Sequence, residues 1–172
     1  MRGASDGNGE GSAGEAAIGR GGNGDRSLRA RMHTAEHLLS AVMRRRFGAP
    51  RPVAAHLDGG RKGRCDYVVS RPFVPEDAVA VEAAVRGLIA QDLSVSVRRM
   101  SRVEASAHFD LEAVPPDVKT VRLVAVHGVD ETPCSGAHVD STAAVGGFRI
   151  ASFTPREGGV VRLRFRVDAA PR

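Results

Sequence analysis

Two five-residue words, His33-Thr34-Ala35-Glu36-His37 and Cys134-Ser135-Gly136-Ala137-His138, lie far apart in this 172-residue chain, and each sets two transition-metal ligands four positions apart. Three imidazoles and one thiolate suit a single Zn2+ ion. Any fold that closes such a site must bring an early segment against a late one. On an α-helix, positions i and i+4 share a face, so His33 and His37 can aim at one ion, whereas a strand would separate them. The apolar residues Leu28, Met32, Leu38, Leu39, Val42, Met43 and Phe47 recur with helical period, no Pro or Gly interrupts them, and Gly48 is a stop signal. The pattern predicts a helix from Leu28 to Phe47. Pro133, Gly136 and Gly146-Gly147 predict instead that Cys134 and His138 are presented from a loop. Either word alone recurs by chance; the pair, in a chain with two cysteines and six histidines, is the more informative observation.

The remaining pattern predicts an α+β (mixed α/β) single domain: a mostly antiparallel sheet packed with two or three helices. Val53 to Asp58 and Cys65 to Ser70 read as strands joined through glycines. Pro75-Glu76-Asp77 opens a helix reaching about Gln91, carried by Val81, Val85, Leu88 and Ile89. Leu93 to Arg99 reads as a short strand, and Ser101-Arg102-Val103-Glu104 as a capping box for a brief helix ending near Asp110. Strands over Thr120 to His127, Gly147 to Phe153 and Val160 to Val167 follow, the last two forming a hairpin around Pro155 to Gly159. A 42 % hydrophobic content supports one core, and no segment has the length or purity of a membrane span.

Residues 1–27 hold nine of the 20 glycines and almost no large apolar side chain, which predicts a flexible tail ahead of a domain over 28–172. They lack the apolar run of a secretory signal. With one of two cysteines assigned to metal, no disulfide framework is expected, so a cytoplasmic location is the expectation. The tail carries a charge of −1 and the domain +6. Lys62 and Lys119 are the only lysines, and arginine is the better fork for phosphate. Three basic groups stand out: Arg44-Arg45-Arg46 at the helix end, Arg61-Lys62-Gly63-Arg64 in a glycine-rich loop, and Arg162, Arg164 and Arg166. The last set alternates with Leu163, Phe165 and Val167, so a strand would turn the arginines to one face, which could track a phosphate backbone. A solvated basic face and arginines favouring the helix dipole are the plain alternatives. Aromatic content of 4 % argues against base stacking as the main grip.

The words His33-Thr34-Ala35-Glu36-His37-Leu38-Leu39 and Val129-Asp130-Glu131-Thr132-Pro133-Cys134-Ser135-Gly136-Ala137-His138-Val139 resemble the editing domain of alanyl-tRNA synthetase. They are most similar to its free-standing relatives, the alanyl-tRNA editing proteins, and the editing domain of bacterial threonyl-tRNA synthetase shares the ligand pattern. An arginine-bearing strand from Arg122 to Asp130 and the stretch Val145-Gly146-Gly147-Phe148-Arg149-Ile150 extend the resemblance over roughly 28–167. It implies a trans-acting hydrolase that clears a wrongly attached amino acid from tRNA, chiefly serine and in some members glycine from tRNA meant for alanine. Zinc would be held at His33, His37, Cys134 and His138, and tRNA would be the partner.

By its place in the family motif, Thr34 is the candidate to sense a serine hydroxyl; packing, or a bond to its own helix, is the alternative. Glu36 is a candidate base or supporting group, or a simple exposed helix carboxylate. Asp130 is a candidate partner of a ligand histidine or an ordinary turn acid. Gly136 completes the candidate catalytic and substrate-binding set. Candidate tRNA contacts are Arg44, Arg45, Arg61, Lys62, Arg162, Arg164 and Arg166. The family word C-G-G-T-H is altered at Ser135 and Ala137, removing a hydroxyl beside the last ligand and leaving the cleared amino acid open. A glycine-rich barrel found before the helix in longer relatives has no room here, so the short type is expected.

Zinc can activate water and polarise a carbonyl, yet four protein ligands ordinarily close a site. One ligand could be loose, coordination could expand, or zinc could position the substrate while a separate water attacks. Two other classes of function stay open: a zinc-stabilised tRNA-binding module without chemistry, and a metallo-hydrolase or acyl-transfer enzyme acting on another aminoacyl ester. Oligomeric state is not legible.

Overall fold

The computed structural model describes residues 23–168; the tail expected over 1–27 lies outside the described residues as far as residue 22. From residue 23 onward the chain is helical. The first helix, α1 (Asn23–Phe47), therefore starts five residues earlier than its apolar period predicts. It buries Met32, Ala35, Leu38, Leu39, Val42 and Met43 along one stripe. Gly48 ends it at φ +66°, its amide donating to the Arg44 carbonyl at 3.0 Å, the left-handed C-terminal conformation that glycine adopts without steric cost.

Two antiparallel sheets and two further α-helices then follow among the described residues, so the expected class holds while the single sheet is divided. The first sheet has the order β1-β2-β7-β6, formed by β1 (Ala54–Leu57), β2 (Lys62–Val68), β7 (Val160–Val167) and β6 (Phe148–Arg156). The second is β3 (Val95–Ser101), β4 (Thr120–Val126) and β5 (Asp130–Pro133), with β4 central. Helix α2 (Pro75–Ala90) opens on Pro75, and the Asp77 carboxylate accepts the Val74 amide at 3.0 Å. Helix α3 (Arg102–Ser106) carries the expected capping box: Ser101 Oγ accepts from the Glu104 amide, and the Glu104 carboxylate from the Ser101 amide. It ends at Ser106, short of Asp110.

One large core joins α1, α2, the inner face of β2 and β7, and Val124 and Val126 of β4. A smaller one of Ala105, Val121 and Leu123 lies on the other face of β4. Alternation along β4 thus puts Val121 and Leu123 on one side and Arg122, Val124 and Val126 on the other. Strand β6 runs to Arg156, past the expected end at Phe153, and tolerates Pro155 because it is an edge strand. Strand β5 is the element the sequence pattern does not announce: four polar or proline-bearing residues form an edge strand against β4 and deliver Cys134. Among the described residues, no helix is long and apolar enough to cross a membrane.

Candidate metal centre

The two ligand words meet. His33, Cys134 and His138 have ligand atoms all within 4.8 Å of one another, with the Cys134 sulfur 4.0 Å from His33 Nδ1. His37, one turn on along α1, sets its ring edge-on to His138 with centroids 4.6 Å apart; the His33 and His138 rings stand at 5.6 Å. His37 lies outside the tight set of three and borders it. Its Nδ1 is 3.5 Å from Asp130 Oδ2, and Arg44 holds the other Asp130 oxygen at 2.7 Å. Asp130 thus stands between Arg44 and His37, where its carboxylate can orient the imidazole.

The donor chemistry fits a metal. His138 Nδ1 donates to the Gly136 carbonyl at 2.9 Å, which leaves Nε2 as the neutral ring's lone pair; that atom is buried with no hydrogen-bond partner. His37 Nδ1 is likewise buried, with no closer polar partner than Asp130 Oδ2 at 3.5 Å. An orphaned buried nitrogen costs free energy unless something accepts its lone pair or proton. Cys134 adds a thiolate: burial works against its charge, but the imidazoles of His138, His33 and His37 gathered around the sulfur outweigh this and pull the thiol down to about 3. For His37, burial opposes the proton, while Asp130 and then Cys134 hold it and carry the imidazolium up to about 10. Within the protein alone, a thiolate faces imidazolium, the arrangement a divalent cation would displace.

Three features position the loop. Cys134 extends the β5 ladder, its amide donating to the Arg122 carbonyl at 3.1 Å, while the Arg122 guanidinium reaches the carbonyls of Cys134 at 2.6 Å and Gly136 at 2.8 Å. Gly136 lies so close to His33 that a Cβ there would fall on the imidazole ring. Thr34 is fully buried; its hydroxyl donates to the Ala30 carbonyl at 2.9 Å and accepts from the Val139 amide at 3.3 Å, pinning α1 to the residue after His138. The Thr34 hydroxyl is thus engaged at once by its own helix and by the loop after His138.

Glu36 is partly buried rather than a free surface carboxylate. It accepts from Ser40 at 2.6 Å, and Ser40 meets the buried Tyr67 hydroxyl at 2.9 Å. A cleft of about 230 Å3 opens on this side, lined by Glu36, His37, Ser40, Asp130 and Cys134 among others. A second, of about 420 Å3, is lined by Arg29, His33, His56 and Asp58 among others.

Of the basic candidates, Arg44 is engaged by Asp130, and Arg162 makes two hydrogen bonds to the nearly buried Asp66, at 2.8 and 2.6 Å. Arg45, Arg61, Lys62, Arg164 and Arg166 have no carboxylate within 4.0 Å among the described residues. Arg122, which holds the loop through two carbonyls, is the supporting residue that the motif words do not contain. Its signal was an arginine on the apolar-facing register of the strand that precedes the second word.

Comparison with known proteins converges on the same segments. Residues 121–164 match the family described as threonyl and alanyl tRNA synthetase second additional domain, a span that includes Arg122, Cys134 and His138. The alanine–tRNA ligase of Cenarchaeum symbiosum is 33 % identical over 139 residues, 78 % of this chain and 15 % of the ligase. That of Aeropyrum pernix is 33 % identical over 138 residues, again 78 % and 15 %. That of Pseudothermotoga lettingae is 32 % identical over 135 residues, 78 % and 16 %. The chain thus spans about 15 % of the length of the curated relatives it matches.

Proposed function

This chain belongs to the editing-domain family of alanyl and threonyl tRNA synthetases, and on that footing we propose that it hydrolyses the ester of mischarged tRNA, serine on tRNA for alanine first and glycine second. The observation that carries the reading is the convergence of His33, Cys134 and His138, with the His138 Nε2 lone pair without a partner, His33 lining one cleft and Cys134 another. His33, Cys134 and His138 would hold zinc, with His37 as fourth ligand. Zinc bound there would supply positive charge for the ester carbonyl oxygen, on which negative charge develops as water adds.

The protein's own groups do the rest. The Arg44–Asp130 pair orients His37, Arg122 fixes the carbonyls of Cys134 and Gly136, and Thr34 sets the distance between α1 and the loop. In the cleft beside His37, the Glu36 carboxylate is presented by Ser40 and Tyr67, where it can hold the substrate's ammonium group or accept a proton from attacking water. Discrimination between serine and alanine would come from this cleft and the position of the loop. The cytoplasm, where charged tRNA is used, is the proposed location.

A second reading, a zinc-stabilised tRNA-binding module without chemistry, is favoured by Ala137, which takes a hydroxyl away from beside His138. Incubating the zinc-loaded protein with tRNA carrying labelled serine, glycine, alanine or threonine separates the two. Release of serine above buffer, with alanine spared, is expected. Binding without release of any amino acid would establish the second reading, and turnover of a free aminoacyl ester with no dependence on tRNA would point to another ester substrate.

A further inference from the structure

The first sheet turns Val161, Leu163, Phe165 and Val167 of β7 inward and the residues between them outward. On the outward face, like charges are stacked across the strands. Lys62 pairs in register with Arg166, which pairs with Arg149, and Arg64 pairs with Arg164. Like charges directly opposite one another destabilise a strand pair, so a sheet that keeps them carries a cost that something else must offset.

The neighbouring row shows how this sheet offsets such charge from within: Arg162 stands opposite Asp66 and is bonded to it by both nitrogens. Arg149 is met by Asp168 at 3.0 Å. Lys62, Arg64, Arg164 and Arg166 have no such carboxylate among the described residues. Among the described residues, the Arg164 side chain donates only to Thr154, at 3.4 Å. A groove of about 390 Å3 runs among these side chains, lined by His56, Asp58, Lys62, Arg64, Arg164 and Arg166. The Asp58 carboxylate in its wall is turned to its own turn, accepting the Gly60 amide at 2.8 Å.

We propose that this outward sheet face is the docking surface for an RNA phosphate backbone, and that the turn between β1 and β2 is the threshold over which the RNA end reaches the metal centre. The inference rests on the RNA reading above and gives it a face and a direction. His56 and Asp58 line both the basic groove and the cleft that contains His33, so the two are neighbours across that turn. Three arginines and a lysine spread over two adjacent strands suit a run of phosphates, since each guanidinium can fork onto two phosphate oxygens. The groove offers cations without an exposed aromatic platform, so the grip is on the backbone and independent of sequence. Arg162 and Arg44, both engaged by carboxylates, take no part; Arg64, which was outside the candidate set, does.

The test is binding of unacylated tRNA by the intact chain across a salt series, comparing Arg164→Glu/Arg166→Glu with Arg45→Glu/Arg46→Glu, an exposed basic pair on α1 remote from the groove. Circular dichroism and metal content serve as controls for folding. The sheet pair is expected to weaken binding at low salt by at least about tenfold and to flatten the logarithmic salt dependence by about two, with a smaller effect from the helix pair. Unchanged affinity of the sheet pair would overturn the inference, as would equal losses from both pairs, which would mean diffuse attraction. Loss of binding to phosphatidylserine-containing vesicles with tRNA affinity intact would assign the face to a membrane surface instead. Because unacylated tRNA undergoes no hydrolysis, a protein that binds it through this face yet releases no amino acid would sink the proposed function and spare the face. Full hydrolysis of charged tRNA by the sheet pair would do the reverse.

Discussion

A single hydrogen atom explains Gly136. The ligand loop crosses α1 so closely that any Cβ there would overlap the His33 ring, and the same residue's carbonyl accepts both His138 Nδ1 and the Arg122 guanidinium. One glycine therefore sets where His33 stands, which nitrogen of His138 is free, and where the loop is anchored. Gly136→Ala is expected to leave the fold intact by circular dichroism, because the surrounding core does not depend on it, while lowering zinc affinity by on the order of tenfold or more. Chelator competition measures this, and an unchanged affinity would mean that the loop is free to retreat from His33. Asp130 shows the opposite economy: a polar strand residue that reads as a turn acid in sequence becomes the link between Arg44 and His37 once β5 is in place.

Among the elements, α1 was legible because a long stripe of Met, Leu and Val at helical period leaves no other way to bury those side chains. The hairpin of β6 and β7 was legible because Leu163, Phe165 and Val167 alternate with arginines. Strand β5 was not, since Asp130, Glu131, Thr132 and Pro133 have no apolar alternation and gain their strand form only from the ladder that β4 offers. That ladder is what makes Arg122 matter: Cys134 sits opposite it, so one side chain can hold two carbonyls of the loop. The site was therefore readable as a set of ligands, from spacing, but not as a supported set, because support comes from residues that only register brings near. Arg122→Met is expected to keep most of the packing of the arginine stem while freeing both carbonyls, weakening zinc binding by roughly tenfold to a hundredfold; Arg122→Lys should recover part of the loss through one donor. Equal zinc affinity in all three proteins would remove Arg122 from the support. Thr34→Val, near-isosteric, removes the tie between α1 and Val139 and is expected to cost about 1–3 kcal/mol in denaturant unfolding.

At the scale of the whole molecule, α1 and the loop after β5 meet at the candidate metal centre, and the first sheet divides into a neutralised row and an open basic face. The Asp66–Arg162 pair marks that division and leaves a signature in pH. The Arg162 guanidinium holds the Asp66 carboxyl below the usual carboxylate range, with burial opposing it. A depressed carboxylate contributes stability that is complete above its ordinary pKa and lost as the pH falls through the lower folded value. The difference in melting temperature between the native chain and Asp66→Asn is therefore expected to be constant from neutral pH to about 5 and to shrink below about 4; a difference that stays constant to strong acid would deny the pair its role. The account as a whole stands on α1 and the β5 loop sharing one ion. Metal content of the purified chain, measured beside Cys134→Ser and His138→Ala, tests this most directly: about one zinc per chain and its loss in both variants is the expected result, whereas a metal-free native chain, or zinc retained undiminished by both variants, would contradict it.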